Sequence, residues 1–313
     1  MFLNQSAGPA ALTSGELPRP VPGAGEVLVR VHATAVTPTE FQWYPTFHLP
    51  TGEPRPFPIV LGHEFSGTIE SIGPGGADWR PGDEVFGMNG WFMNGAQAEY
   101  CLAPATALAG KPRLLSHPQA AVAPISALTA WQGLLERARL GPGERVLIHG
   151  AAGGVGVFAV QLARWRGAHV IATASAQNRD LVRQLGAREV IDYQADRFDE
   201  LAGQVDVVFD PVGGDTLARS WRLLKPGGRL VTVATCSVRS GDVRVREAFM
   251  FVRPEGRQLA QIARLMDAGE LRPVVRETLP LAEAATAYTL AQPGGGPGKI
   301  ALHIAAPESM AEN

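Results

Sequence analysis

Val146-Leu147-Ile148-His149 is followed directly by Gly150-Ala151-Ala152-Gly153-Gly154-Val155-Gly156, and then by Val157-Phe158-Ala159-Val160-Gln161-Leu162-Ala163. An apolar run, a glycine-dense turn and an apolar-faced helical stretch in that order predict a buried strand turning straight into a helix. Small residues let a ligand's phosphates approach the backbone, and the free N–H groups of the first helical turn, helped by the helix dipole, hold their charge. Ala151 to Gly156 fits A-x-G-x-x-G, a dinucleotide fingerprint with alanine at its first glycine. Glycines also serve turns that bind nothing, so the flanking strand and helix carry this reading.

The alternation continues downstream. Strand-like 146–149, 170–173, 190–192, 205–209 and 229–234 are separated by helical stretches from Gly154, after Gln177 and after Asp215. This pattern predicts an α/β unit with a doubly wound parallel sheet. Lys225-Pro226-Gly227-Gly228 reads as a helix stop and turn. Upstream of this unit the first part of the chain has a different texture, with short runs such as Glu26-Val27-Leu28-Val29-Arg30-Val31-His32-Ala33 punctuated by Pro and Gly, as in a compact β-rich domain. Later come an amphipathic helix over 256–269, with Leu259, Ile262, Ala263, Leu265 and Met266 on one face, and a strand over 274–279. A helix from 281 to about 292, a loop through Gly294-Gly295-Gly296-Pro297-Gly298 and a last strand over 299–304 follow.

A chain of 313 residues has room for two domains. Its net charge of −2 argues against nucleic acid or an anionic membrane as a partner. The longest apolar region, 120–135, is too short to span a bilayer and is broken by Pro124, Ser126, Thr129 and Gln132. The first residues lack the basic start and apolar core of a secretory signal, so the expected location is cytoplasmic. Cys101 and Cys236 are too distant to suggest a disulfide framework and read as packing residues.

The chain resembles the medium-chain dehydrogenases/reductases, and within them the zinc-free, NADPH-dependent quinone oxidoreductase-like branch. The residues that carry the resemblance span nearly the whole chain. They are Pro22-Gly23-Ala24-Gly25-Glu26-Val27-Leu28-Val29, Leu61-Gly62-His63-Glu64-Phe65-Ser66-Gly67, Gly82-Asp83-Glu84-Val85-Phe86-Gly87 and Leu128-Thr129-Ala130-Trp131. The glycine turn, Leu185-Gly186-Ala187 leading to Ile191-Asp192-Tyr193, Phe209-Asp210-Pro211-Val212-Gly213-Gly214 and Gly298-Lys299-Ile300 complete the set. The resemblance implies a GroES-like β-rich catalytic domain over 1–121, completed by 274–313, and a Rossmann domain with a doubly wound parallel sheet over 122–273. It also implies an active site in the cleft and a homodimer.

Zinc-dependent relatives share Gly62-His63-Glu64 but have a metal-binding cysteine in place of Thr37, and a cysteine or acid near 124–126. Two distant cysteines cannot supply the four of a structural zinc lobe, so no metal is expected. His63 then reads as a hydrogen-bonded histidine of the cleft or core, and Glu64 as a buried paired carboxylate or a vestige of a metal site.

An NAD site usually has an acid at the tip of the second strand. Here the strand runs into Ala174-Ser175-Ala176-Gln177-Asn178-Arg179 with none. Ser175 and Arg179 suit a 2′-phosphate, so NADPH is the expected cofactor. Arg179 also fits a solvated helix residue. By resemblance, Tyr193 joins Arg179 around that phosphate. Thr129, Val212, Gly213 and Gly214 face the nicotinamide and its ribose, and Ala234, Thr235, Phe251, Val252 and Lys299 lie near the cofactor. Lys299 could equally be a strand-edge charge. Ala151, Gly153, Gly154, Val155 and Gly156 form the pyrophosphate turn.

Without a metal, alcohol oxidation is poorly served, whereas reduction of a quinone or α,β-unsaturated carbonyl needs mainly positioning and one or two donors to the developing oxyanion. Thr37, Tyr44 and His63 are the candidate catalytic residues, with Glu40, Trp43 and His48 beside them. Tyr44 reads equally as a proton donor and as a pocket wall, and Glu40 as an orienting acid. Met88, Trp91, Phe92 and Met93 read either as an apolar cover for a planar substrate or as loop packing. The expected partner is a small-molecule quinone or enone. Two other functions stay open: a nucleotide-binding accessory or sensor protein with little catalysis, and, less favoured, a zinc-dependent alcohol dehydrogenase.

Overall fold

A computed structural model describes residues 1–75, 78–234, 236–237, 240–292 and 296–304. Twelve strands are named in chain order: β1 Glu26–Ala35, β2 Glu64–Ile72, β3 Glu84–Met88, β4 Tyr100–Pro104, β5 Leu108–Gly110, β6 Arg145–Ile148, β7 His169–Ala174, β8 Glu189–Asp192, β9 Val205–Asp210, β10 Leu224–Thr232, β11 Val275–Pro280 and β12 Lys299–His303. They form two sheets.

The first is seven-stranded, in the order β11-β12-β1-β2-β3-β5, with β4 also on β1. β1 is long enough to serve two partners along one edge. Glu26 to Arg30 pair with β4, and Ala33 to Ala35 pair with His303 to Ala301 of β12. The other edge of β1 pairs with β2 through two register shifts. Val27, Val29, Val31, Phe65, Ile69, Val85 and Leu108 close a core against this sheet. Its last strand therefore comes from the far end of the chain and brings Lys299 to the end of β1, where Thr37 follows.

The second sheet is parallel, in the order β10-β9-β6-β7-β8. Alternate residues of its central strands enter different cores. Val146, Ile148, Val170, Ala172, Val207 and Phe209 pack with the helix Gly154–Trp165, and Leu147, Ile171 and Val208 pack with Phe198 and Leu217 on the opposite face. That is why these strands read as nearly unbroken apolar runs. β6 leads to β7 on one side, and the chain later returns to β9 on the other. The carboxyl ends of β6 and β9 thus flank the crevice where open α/β sheets bind ligands.

Three local expectations change. Lys225 to Gly228 lie inside β10 as an irregularity: Leu224 pairs with Val205 and pairing resumes at Arg229 with Val207, the excursion turning at Gly227 with φ +77°. The turn chemistry is real, but the strand runs through it. The helix expected from 281 is a 3-10 turn, Leu281–Glu283, followed by the helix Ala284–Leu290. Cys101 is buried as expected, whereas Cys236 is exposed, because it stands in the turn beyond β10 rather than in the sheet.

Candidate active site

The glycine turn follows β6 directly. Gly150 takes φ +54°, a left-handed conformation that a side chain would oppose. Gly156 sits where the new helix presses on the turn, and a Cβ there would lie 2.2 Å from the Gly150 carbonyl oxygen and 2.7 Å from Ala151 Cα. The helix Gly154–Trp165 starts at Gly153 with no side-chain cap. The N–H groups of its first turn are therefore available to a ligand. The lead-in to β12 is fastened to the same turn, since Gly298 N–H donates to the Ala152 carbonyl at 2.8 Å.

These elements enclose a cavity of about 330 Å³ between the two sheets. Gly150, Gly153, Gly154, Val155 and Gly156 line one wall, Thr37, Thr39 and Lys299 another, and Pro211 and Val212 the end of β9. Asp210 shapes that last turn: its buried carboxylate accepts from Val212 N–H at 3.0 Å, from Gly213 N–H at 3.0 and 3.1 Å, and from Thr232 Oγ1 at 3.1 Å. Burial pushes the Asp210 carboxyl up, with those donors opposing. The loop so held presents Val212, half-exposed, to the cavity.

The polar floor of the cavity joins both ends of the chain. Lys299 lays its stem along Gly154, where a Cβ would meet Lys299 Cγ at 2.8 Å. Its ammonium pairs with Glu64 Oε1 and donates to Thr37 Oγ1 at 3.0 Å. The other Glu64 oxygen accepts from Ile125 N–H at 3.0 Å. Glu64 is fully buried, and that burial pushes its carboxyl up against the opposing pull of Lys299 and Ile125. Glu64 is thus buried and paired, as the first of its two sequence readings expects.

Behind this pair lies a second buried chain. Gln97 Nε2 donates to Tyr288 Oη at 2.8 Å, and Tyr288 donates to Glu40 Oε2 at 2.6 Å. Glu40 Oε1 accepts from Gly62 N–H at 2.8 Å and from His63 Nδ1 at 2.7 Å, and His63 Nε2 reaches the Trp91 carbonyl at 3.2 Å. Both ring nitrogens of His63 thus face oxygen atoms of neighbouring residues. Burial pushes the Glu40 carboxyl up, but the bonds from His63, Tyr288 and Gly62 outweigh it and hold the group below its ordinary value.

The candidate catalytic residues separate in space. Thr37 lines the cavity, whereas His63 is only 2% exposed within the Glu40 chain and absent from the lining. Tyr44 is 48% exposed and stacks on His48 with ring centroids 4.4 Å apart, also outside the lining. Met88 is buried, and Trp91 packs on Trp43, His63 and Phe251 while its indole N–H bonds the Val252 carbonyl at 2.8 Å. Phe251 is thereby held against Trp91, partly exposed.

Of the candidate cofactor residues, Gly153, Gly154, Val155, Gly156, Val212 and Lys299 meet around the cavity. Ala151 is buried beneath the turn, and Ala234 packs under Gly213. Thr129 is buried, with its hydroxyl spent on the Ile125 carbonyl at 2.6 Å. Ser175, Arg179 and Tyr193 gather separately at the tip of β7. Ser175 Oγ accepts from Asn178 Nδ2 at 3.1 Å, Tyr193 N–H reaches the Ala174 carbonyl at 3.4 Å, and the buried Nε of Arg179 has no partner among the described residues. Thr235, Gly294 and Gly295 lie outside the described residues.

The sequence reading missed Ser126, Thr39 and Arg276, which also line the cavity. Arg276 alternates along an ordinary strand, and nothing local marks it. The Lys299–Glu64 contact links residues 235 positions apart and has no sequence signal of its own.

Residues 23–113 match the family described as alcohol dehydrogenase GroES-like domain, and residues 185–302 match zinc-binding dehydrogenase. The chain is 32% identical to the mitochondrial NAD(P)H oxidoreductase RTN4IP1 of Mus musculus, over 89% of this chain and 82% of that protein. The quinone oxidoreductase of Coxiella burnetii superposes with a TM-score of 0.88 at 31% identity, covering 97% of this chain and 98% of that one. The mycobacterial protein Rv1454c, solved with NADPH, superposes with a TM-score of 0.80 at 30% identity, covering 96% and 98%.

The second family description implies zinc, and the donors here do not fit it. Both nitrogens of His63 are engaged, Thr37 and Glu64 are tied to an ammonium, and among the described residues no group of three or more His, Cys, Asp or Glu side chains is placed to hold a metal. The glycine turn with its uncapped helix does fit a dinucleotide. With two family matches and full-length relatives of like architecture, the chain belongs to the medium-chain dehydrogenase/reductase superfamily of nicotinamide-dependent oxidoreductases.

Proposed function

We propose that this protein is a zinc-independent, NADPH-dependent reductase of quinones or α,β-unsaturated carbonyls. The observation that carries the reading is the Lys299 ammonium set between Thr37 and Glu64 in the cavity beside the glycine turn. It sets an ammonium, oriented from behind by Glu64, and the Thr37 hydroxyl where a reduced carbonyl oxygen would gain negative charge, and such preorganised donors favour reduction of an electrophilic acceptor. The names of the Coxiella quinone oxidoreductase and the mouse NAD(P)H oxidoreductase point the same way.

When bound, the reduced nicotinamide supplies the hydride. The first-turn N–H groups from Gly154 to Gly156 would hold the pyrophosphate. Val212, presented by the Asp210 turn, would pack against the nicotinamide side. Ser175, Arg179 and Tyr193 would frame the 2′-phosphate. The unpartnered Arg179 Nε supports this, because a buried guanidinium nitrogen lacks only an acceptor and a phosphate supplies one. The proposal retains the division into 1–121 with 274–313 and 122–273, supported by the membership of the strands in the two sheets. A homodimer and a cytoplasmic location are carried from the family resemblance and the sequence. No helix among the described residues is long and apolar enough to cross a membrane.

Absorbance of reduced nicotinamide, followed with NADPH and NADH against a benzoquinone, a phenanthrenequinone and a simple enone, with and without chelator, tests the reading. Chelator-insensitive turnover that favours NADPH is the expected result. Arg179→Ala should weaken NADPH about 10–100-fold, the size of a lost charge-assisted bond, and leave NADH nearly unchanged. Equal loss for both nucleotides would remove Arg179 from the phosphate site.

A further inference from the structure

Thr37 is where the cavity and the buried charges meet. Its hydroxyl has one proton to give and lone pairs that accept. One acceptor position is taken by Lys299 Nζ at 3.0 Å, and among the described residues the hydroxyl donates to nothing. Because Thr37 lines the cavity, that remaining proton is available to a group lying inside it. Lys299 in turn is held from behind by Glu64, whose second oxygen is fixed by Ile125 N–H, so the ammonium cannot easily swing away.

We infer that Thr37 is the catalytic proton donor to the oxygen of the acceptor and that Lys299 is the proton source behind it, with Glu64 as a positioning residue. The inference rests on the reductase reading. Once hydride has added to the β-carbon of an enone, or to one oxygen of a quinone, the electron pair appears on the remaining oxygen as an enolate or hydroquinone oxyanion; the enol formed from an enone returns to the carbonyl form in water after release. The Thr37 O–H bond breaks as the new O–H bond forms on that oxygen, while one Lys299 N–H proton passes to Thr37 Oγ1. Lys299 is left as the neutral amine and regains a proton from water when the product leaves. Tyr44 and His63, the other candidates, are outside the cavity lining.

Thr37→Val, Thr37→Ser and Lys299→Met test the relay. Melting temperature and NADPH binding, read by nucleotide fluorescence, establish that each variant folds and loads. With saturating NADPH and an enone, Thr37→Val is expected to lose about 100-fold in kcat with NADPH affinity nearly unchanged, the usual worth of a positioned acid. Thr37→Ser should recover most of it. Lys299→Met should show a similar loss, and the Thr37→Val/Lys299→Met double variant should be little worse than either, as for groups acting in one unit. Full activity in Thr37→Val, failure of Thr37→Ser to recover, or additive losses would overturn the relay.

A turnover-independent readout separates this inference from the reductase reading. 4-Nitrophenol, whose anion absorbs near the visible, stands in for the oxyanion. It should bind the NADP⁺-loaded protein as the phenolate, and bind Thr37→Val less tightly. If the wild type reduced no quinone or enone yet bound the phenolate through Thr37, the reductase reading would fail and the oxyanion site would stand. Equal binding to both proteins would overturn the site.

Discussion

His149, the residue just before the glycine turn, gives the chain a stability that depends on pH in a calculable way. It is almost wholly buried, with Nε2 at 2.9 Å from Ser220 Oγ and Nδ1 at 3.1 Å from Thr173 Oγ1. Ser220 spends its own proton on the Thr216 carbonyl, so His149 donates from Nε2 and accepts at Nδ1, which the neutral ring satisfies completely. Burial, with a smaller push from the nearby Arg219 charge, drives the imidazole pKa down to about 3 from 6.5. The unfolded chain therefore binds a proton at this residue where the folded chain does not. The resulting stability is fully present above about pH 6.5 and is lost as the pH falls toward the folded value. Between pH 7 and pH 5 the linkage amounts to about 2 kcal/mol, and the figure changes little for any folded value below about 4. Urea unfolding of the wild type and His149→Gln across that range isolates the residue, since Gln can still donate to and accept from the two hydroxyls. The wild type should lose about 2 kcal/mol more than the variant, near 0.7 M in midpoint for a slope of about 3 kcal/mol per M. A wild-type-minus-variant difference that stays flat from pH 7 to pH 5 would refute the assignment of a neutral buried ring.

Two further substitutions probe the site's framework. Gly156→Ala drives a Cβ to 2.2 Å from a backbone oxygen, so it should cost about 1–3 kcal/mol in unfolding free energy and abolish most NADPH binding by fluorescence titration. Undiminished binding would mean that the helix does not need to sit so close to the turn. Glu40→Gln removes the carboxylate on which Gly62, His63 and Tyr288 converge and should lower stability in urea by about 1–3 kcal/mol, while a loss under about 0.5 kcal/mol would show that this buried chain contributes little.

Legibility in the sequence follows the range over which each signal acts. The strand–turn–helix at 146–163 was readable because backbone conformation at Gly150 and close packing at Gly156 constrain neighbouring residues. The parallel sheet was readable because burial of both its faces turns whole strands apolar. The irregularity in β10 was half readable: Pro226 and Gly227 announced a turn, but only pairing with β9 shows that the strand continues beyond it. The position of Thr37 followed from family resemblance, yet its partner Lys299 lies 262 residues away. Nothing in composition or periodicity couples them. The same holds for Tyr288 and Glu40, 248 residues apart, whose bond closes the chain behind His63. A helix reading of Ala284–Leu290 could say that Tyr288 would face inward, but not which carboxylate it would find.

The split pairing of β1, with β4 along its first half and β12 along its second, has a bearing on how the protein is made. During synthesis β1 to β5 emerge long before β12 is translated, and the strands of the parallel sheet emerge in between. Until β12 docks, β1 keeps an open edge and Glu64 has no ammonium beside it. Non-local pairing of this kind forms late and slowly. Nucleotide binding at a glycine turn fastened by the Gly298 tether would then serve as a gauge of completed folding, appearing only when the last strand has closed the sheet that the first one began.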